Sequence, residues 1–340
     1  MKARRGRAAG LLIALVAAAS FGLSGPFSKS LLEAGWSPIA AVTARTLIGG
    51  VVLAPFALVS LRGRWHSLWD ARVRVILMAL IGVAATQLGY FATIQRIPVS
   101  TAILLEYTGP LLLVIYVWIR TRRMPKAVVV LGSLIAVGGL VLVVSPDGHG
   151  ALDPLGLLFG CLTAVGCAAY FLIAEGPSAS GGRVASGAGE SRPRGENLPP
   201  VALASVSILL GSATLAVVGA TGLIPFQISF RDVTLLGGPA PWWVPLLVIG
   251  VVACAIAYAT SITATEILGS RLGSFMGLLE VVAAALYAWI LLGEQLGIPQ
   301  LIGGVLILGG IAFVRSEKTD AQVEAVPERH DSAAANGSIK

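Results

Sequence analysis

The sequence predicts an all-α, polytopic membrane protein: ten transmembrane helices arranged as two inverted five-helix repeats. Three observations lead there. First, 56% of the 340 residues are hydrophobic and 12% are charged, with a mean hydropathy of +0.86; soluble domains carry roughly 25% charged residues. Second, two apolar runs of bilayer-spanning length, residues 99–119 and 274–292, each hold one carboxylate, Glu106 and Glu280. A shift of 174 residues lays Ser100 on Ser274 and Leu104, Leu105 and Glu106 on Leu278, Leu279 and Glu280. Third, the basic residues collect in alternate connections between apolar runs, as they do when a chain crosses a membrane repeatedly.

Taken in order, the spans fall at about 8–28, 37–60, 73–95, 98–119, 126–145, 154–174, 200–222, 242–264, 271–292 and 298–315; each is close to the roughly 20 residues a bilayer needs. The first opens as a signal peptide would, MKARRGR before LLIALVAAAS, but its apolar run continues to Phe27 and reads as a retained helix. Of the 24 Lys and Arg residues, 20 lie at the N-terminus, in the even-numbered connections or in the tail. Three (Lys29, Arg96, Arg231) lie on the other side, and Arg45 is inside a span. Both termini are therefore expected in the cytoplasm.

Five spans per half is an odd number, so the second half must run upside down relative to the first. The glycines repeat as well: Gly132 with Gly138 and Gly139 is echoed by Gly303 with Gly309 and Gly310. The expected domains are 8–145 and 154–315, joined by the polar segment 145–154. Residues 176–199 read as a disordered cytoplasmic loop and 316–340 as a disordered cytoplasmic tail.

Candidate working residues are the polar groups that a bilayer penalises. A carboxylate at its centre costs about 2.5–3.5 kcal/mol on insertion scales, so such groups mark pathways or pair with one another. Glu106 and Glu280 are read as proton- or substrate-binding groups, against the alternative of packing carboxylates. Arg45 either meets a substrate carboxylate or neutralises one of the two acids. Sequence neighbours suggest roles: Glu106 beside Tyr107 and Thr108 as the substrate-side group, paired with Arg45 when empty, and Glu280, with no polar neighbour until Tyr287, as the proton group.

Thr86, Tyr90 and Thr93 share one face of the third span; Cys254, Tyr258, Ser261 and Thr265 share one face of the eighth. These stripes either line a path or bond between helices. Gly25-Pro26 and Gly109-Pro110 interrupt the first and fourth spans as hinges or kinks, and Pro55 the second. Glu294 and Arg96 read as boundary residues.

The spans hold no His, Cys161, Cys167 and Cys254 form no CxxC pair, and no Walker A pattern occurs; no catalytic residue, metal site or cofactor is expected. The expected partners are a small-molecule substrate, the lipid bilayer and, as an option, a second copy in a homodimer. Nucleic acid is not among them, because the net charge of +7 sits in membrane-flanking connections.

The stretches FGLSGPFSK, SPIAAVTARTLIGG, LLEYTGP, LLEVVAAALYAWILLGE and IGGVLILGG resemble the two tandem EamA domains of the drug/metabolite transporter superfamily, over roughly residues 8–315. RIPVSTAILLEYTGPL is weakly similar to the threonine/homoserine exporter group. Two departures stand out. The proline that often follows the ninth-helix Glu is Val281 here, and Leu292-Gly293-Glu294 has no counterpart in the first half, where Arg120 and its neighbours stand.

The resemblance implies ten helices, five plus five inverted, with both termini inside. The expected function is secondary transport of small polar metabolites across the plasma membrane: export of amino acids or related compounds, with proton coupling as one option. The alternative is a membrane receptor or partner protein without transport activity. A membrane-embedded enzyme ranks lower, for lack of a nucleophile or metal cluster.

Overall fold

Inside a bilayer the backbone must satisfy its own polar groups, and this chain does so with helices. The computed structural model describes residues 2–122, 127–144, 152–175, 198–294 and 297–323. The first half contains α1 (Lys2–Gly22), α2 (Ser24–Glu33), α3 (Pro38–Ser60), α4 (Trp65–Asp70), α5 (Arg72–Leu77), a π-helical stretch Met78–Ala85, α6 (Thr86–Ile94), α7 (Val99–Glu106), α8 (Gly109–Thr121) and α9 (Ala127–Val144). The second contains α10 (Pro154–Glu175), α11 (Pro200–Ala220), a hairpin of β1 (Val233–Leu235) and β2 (Gly238–Ala240), α12 (Trp243–Leu247), a second π-helical stretch Val248–Ile256, α13 (Ala257–Leu292) and α14 (Ile298–Val323).

Five stretches, Gly10–Glu33, Pro38–Ser60, Arg72–Ile94, Val201–Ala220 and Trp243–Ser261, are long and apolar enough to cross a membrane unaided. Other apolar helices, such as Ala127–Leu142 and Ile298–Gly310, are shorter, so length and composition do not by themselves count ten crossings. Leu134, Val141, Trp289 and Val305 are more than half exposed, as suits helices that face lipid.

Three boundaries differ from the sequence reading. The first span does not end near 28; α2 carries it to Glu33, because Lys29 has a partner inside the protein. At the other end α14 runs on past the tenth span to Val323, into residues read as disordered tail; extending a helix adds one hydrogen bond per residue without a new nucleus. The rest of the tail and most of the 176–199 loop lie outside the described residues.

The third difference concerns residues 264–271, read as a connection, where helical hydrogen bonding runs from Ala257 through Leu292. The chain is nevertheless not straight there. Phe21 packs edge-on to Tyr258, with ring centroids 5.1 Å apart, while its neighbour Gly22 touches Ala283 and Ala284. In a straight helix residues 258 and 283 would stand about 37 Å apart. The element therefore bends, so that both of its ends reach α1.

The proline-bearing interruptions lie where backbone chemistry puts them. Proline lacks the N–H that would reach the carbonyl four residues back. For Pro26 that residue is Gly22, where α1 stops; for Pro110 it is Glu106, where α7 stops. α8 begins at Gly109, with Pro110 in its first turn. Pro55 lies within the unbroken α3.

A twofold relation between the halves is visible in reciprocal contacts. Gly139 packs on the Gly303 carbonyl and Ile307, and Gly310 packs on the Gly132 carbonyl and Ala136. The counterparts Gly132/Gly303, Ala136/Ile307 and Gly139/Gly310 are each 171 residues apart (303 − 132 for the first). Gly211 likewise meets the Ala79 carbonyl and Val83, as Gly49 meets the Gly250 carbonyl and Cys254. Ala79/Gly250 and Val83/Cys254 are again 171 apart (250 − 79). Self-complementary contacts of this kind mark a twofold axis.

At the α9–α14 crossing the numbers run in opposite directions, so the helices are antiparallel. The same holds for α3 and α11, where the Ser205 hydroxyl points to the Gly50 carbonyl and that of Ser212 to Thr43. A twofold axis between antiparallel helices lies across them, which is the geometry of an inverted repeat. The π-helical stretches occupy matching places beside this axis.

Candidate functional site

Buried charge collects where the two halves face each other. Arg45, on α3, is 5% exposed. Its Nη1 donates to Gln87 Oε1 at 2.7 Å and its Nη2 to the Ala253 carbonyl at 3.4 Å. The guanidinium also lies 5.8 Å from the Phe91 ring centroid. All three partners are neutral, and Nε has no partner. Arg45 is close enough to Glu106 and Glu280 for their charges to act on one another, but it forms an ion pair with neither. Lys29–Glu294 and Arg96–Asp153 do form ion pairs, and neither involves Arg45. The expected Arg45–Glu106 pair is therefore absent from this conformation.

The carboxylates differ, in the opposite sense to the sequence expectation. Tyr107, adjacent to Glu106 in sequence, turns its hydroxyl to Glu280 and donates at 2.7 Å. Successive helical residues point about 100° apart, and α7 has just ended at Glu106, so Tyr107 reaches across the repeat interface. Glu280 thus gains the polar neighbour that its own helix lacks. Glu106 accepts no hydrogen bond among the described residues. Val281, where a proline often stands in the resembled family, lets α13 continue unbroken past Glu280.

The remaining expected site residues divide. Tyr90 is buried, its hydroxyl against Gly25 of α2, close enough to Glu106, Glu280 and Arg45 to feel their charge. Tyr258 packs on Phe21, close enough to Arg45 and Glu280 to feel their charge. Tyr287 is half-buried and forms no hydrogen bond to the carboxylates or Arg45 among the described residues.

Thr86 and Thr93 belong to packing. Their hydroxyls bond back to Ile81 and Gly89 on their own helix, and their sides fill space at Gly166 and Gly160 of α10. On the other stripe Cys254 packs under Gly49, and the side chain of Thr265 lies outside the described residues.

Sequence reasoning missed four groups. Gln87 and Phe91 hold Arg45 but read as ordinary span residues; a lone amide in an apolar run was the available signal for Gln87. Ser24 and Ser28, a turn apart around Pro26, are buried with unpartnered hydroxyls. Taken together, the site offers one guanidinium with a free donor, one free carboxylate, one hydroxyl-bound carboxylate and buried hydroxyls beside a broken helix. Such a set suits a small solute carrying both an anionic and a cationic group.

Comparison with known proteins agrees with this frame. The model of the EamA-like transporter family matches residues 8–145 and 191–316. An uncharacterized inner membrane transporter, YicL of Salmonella typhimurium, is 21% identical over 317 residues, covering 90% of this chain and 94% of that protein. An uncharacterized transporter of Archaeoglobus fulgidus is 24% identical over 242 residues, covering 70% and 76%. One crystal structure superposes with a TM-score of 0.54 at 18% identity, covering 94% of this chain and 99% of its own; this likeness shows the fold alone.

Proposed function

We propose that this chain, which belongs to the EamA-like transporter family, carries small polar metabolites across the plasma membrane by alternating access between its inverted halves. It is a multi-pass transporter, and because members of that family are transporters the membrane-enzyme reading is set aside. The observation that carries the substrate reading is Arg45: a buried guanidinium with neutral partners and an unpartnered Nε. A buried cation is normally paired, and leaving it unpaired is expensive. A substrate carboxylate would supply the missing charge.

Glu106 and Glu280 would receive the substrate's ammonium group or a coupling proton. The substrate class favoured is therefore amino acids and related compounds, moved outward. The argument that gave the proton to the unpartnered carboxylate now selects Glu106, since Tyr107 serves Glu280. The proposed topology places both termini in the cytoplasm, on the basic-residue asymmetry. The likeness to YicL, an inner membrane transporter by name, supports the plasma membrane.

Reconstituted protein in proteoliposomes, with an imposed pH gradient and a panel of amino acids and amines, tests the reading. Zwitterionic amino acids should move, amines lacking a carboxylate should not, and Glu106→Gln should flatten the pH dependence more than Glu280→Gln. Transport of amines alone would refute the role of Arg45. An unchanged pH profile in Glu106→Gln would refute the proton assignment.

A further inference from the structure

The two halves meet again around Glu294. Gly293 ends α13 in the left-handed conformation (φ 70°), which glycine adopts without a Cβ penalty, and aims the next residue back at the first half. The Glu294 carboxylate accepts from Lys29 Nζ of α2 at 2.8 Å, from the Val99 N–H at 3.0 Å, and from the Ser100 N–H and hydroxyl at 3.4 and 3.3 Å. Every donor belongs to the first half and the acceptor to the second.

The geometry suits a strong contact. Val99 and Ser100 open α7, whose first N–H groups have no partner within the helix, and a carboxylate there also meets the positive end of the helix dipole. The side chains of Lys29 and Glu294 are 18% and 12% exposed, so water screens the pair only partly. The Leu236 N–H, at the left-handed tip of the β-hairpin, donates to the Leu291 carbonyl at 3.2 Å and ties the connecting loop to the same corner.

We infer that this clasp is a gate: Glu294, held by Lys29 and the α7 N-terminus, seals one end of the pathway, and transport requires it to open. The inference rests on the transport reading. One mechanical link supports it: α7 runs directly from the clasp, at Val99 and Ser100, to the helix break and Glu106. Separating Glu294 from α7 would therefore release the helix that carries the site.

The pseudo-twofold makes the device one-sided. Gly293 corresponds to Arg122, 171 residues earlier (293 − 122) and also left-handed, at φ 54°. The residue after it is Arg123 where the second half has Glu294. An arginine offers no oxygen to accept the hydrogen bonds that Glu294 accepts, so the same contact cannot be rebuilt at the other face. The clasp lies at the end of the first span remote from the N-terminus, the external face in the proposed topology. Clasped, the protein holds its site closed to the outside and available to cytoplasmic solute, as an exporter requires at rest.

The test reads accessibility rather than transport. In full-length protein carrying Cys161→Ala, Cys167→Ala and Cys254→Ala, Ile103→Cys reports on the interior: Ile103 is buried one turn below Ser100. A membrane-impermeant maleimide is applied to right-side-out and to inverted membrane vesicles. Glu294→Gln keeps an oxygen for the α7 N–H groups while removing the charge, and Lys29→Met removes it from the other side. Each should raise the labelling rate about tenfold or more from the clasp's face only, as expected for loss of a charge-assisted bond. The exposed neighbour Glu33→Gln should change nothing.

Unchanged labelling in both clasp variants, or an equal rise from both faces, would overturn the gate. Clasp-dependent labelling in a protein that moves no panel solute would keep the gate and remove the substrate reading instead.

Discussion

The α9–α14 crossing gives the most direct check on the inverted repeat, through two adjacent glycines with opposite surroundings. A methyl group added at Gly139 would collide with the Gly303 carbonyl, Leu306 and the backbone of Ile307; at Gly138 it would meet nothing within 4 Å. Alanine is favoured over glycine in a helix by about 1 kcal/mol, a gain available at either position. At Gly139 it is opposed by overpacking, typically about 1–3 kcal/mol in a closely packed core. Backbone on both sides of the contact leaves no flexible side chain to yield, which puts the penalty at the upper end. Gly138→Ala should therefore stabilise by several tenths to about 1 kcal/mol, and Gly139→Ala should destabilise by about 1–2 kcal/mol.

The second half repeats the experiment, because Gly310 meets the Gly132 carbonyl and Ala136 while Gly309 meets nothing within 4 Å. The assay is denaturant titration of the purified protein in mild detergent, with all four alanine variants run side by side. Agreement means that 139 pairs with 310 and 138 with 309, in sign and in rough size. Equal effects at 138 and 139 would refute the crossing, and a loss at 138 alone would mean that its outer face is covered, for instance by a second copy.

Three further outcomes are expected. Arg45→Met, which keeps much of the packing on Phe91, should leave the protein folded and raise the KM for amino acids at least about tenfold, in line with a lost charge-assisted bond; an unchanged KM in proteoliposomes would make Arg45 structural. Tyr107→Phe removes the hydroxyl from Glu280 and should alter the pH dependence of transport while Leu104→Met, three residues earlier, does not; identical profiles for parent and Tyr107→Phe would show that the bond is idle. Pro110→Ala restores a donor facing the Glu106 carbonyl and should slow turnover without reducing insertion, whereas full transport would reduce the proline to a tolerated kink.

Much of the frame was legible because period and cost are sequence properties. The glycine echo at 132–139 and 303–310 marks the crossing that the structure builds, with Gly139 and Gly310 inside it. The carboxylates were legible because hydrocarbon makes them expensive. Their partners were not, since partnership is decided across the repeat interface. Tyr107 was read with its chain neighbour Glu106 but serves Glu280, and Glu294 was read as a boundary residue because its three donor residues are about 190 or more positions away in sequence. The π-helical stretches had no signature, as one extra residue per turn follows from packing rather than composition. The register also shifts within the repeat: Glu106 and Glu280 align at 174, the flanking helices at 171. The first half thus carries three more residues between its acid and its left-handed cap, and the interruption at Tyr107 and Thr108 is where a helix can absorb them.

Those three residues bear on how one fold serves two roles. With Val281 continuing α13 straight through Glu280, the second-half acid sits on a continuous helix and is held by a hydroxyl. With Pro110 ending α7 at Glu106, the first-half acid sits at a broken end whose carbonyl has lost its donor. A group fixed on a rigid helix is pre-organised, whereas one at a break can change neighbours when the helix moves. Opening the clasp would part α7 from the end of α13, and the break at Glu106 is where α7 can bend in response. The inverted repeat therefore supplies matching frames, and a single proline-for-valine difference together with a single acid-for-arginine difference gives their two acids unequal surroundings.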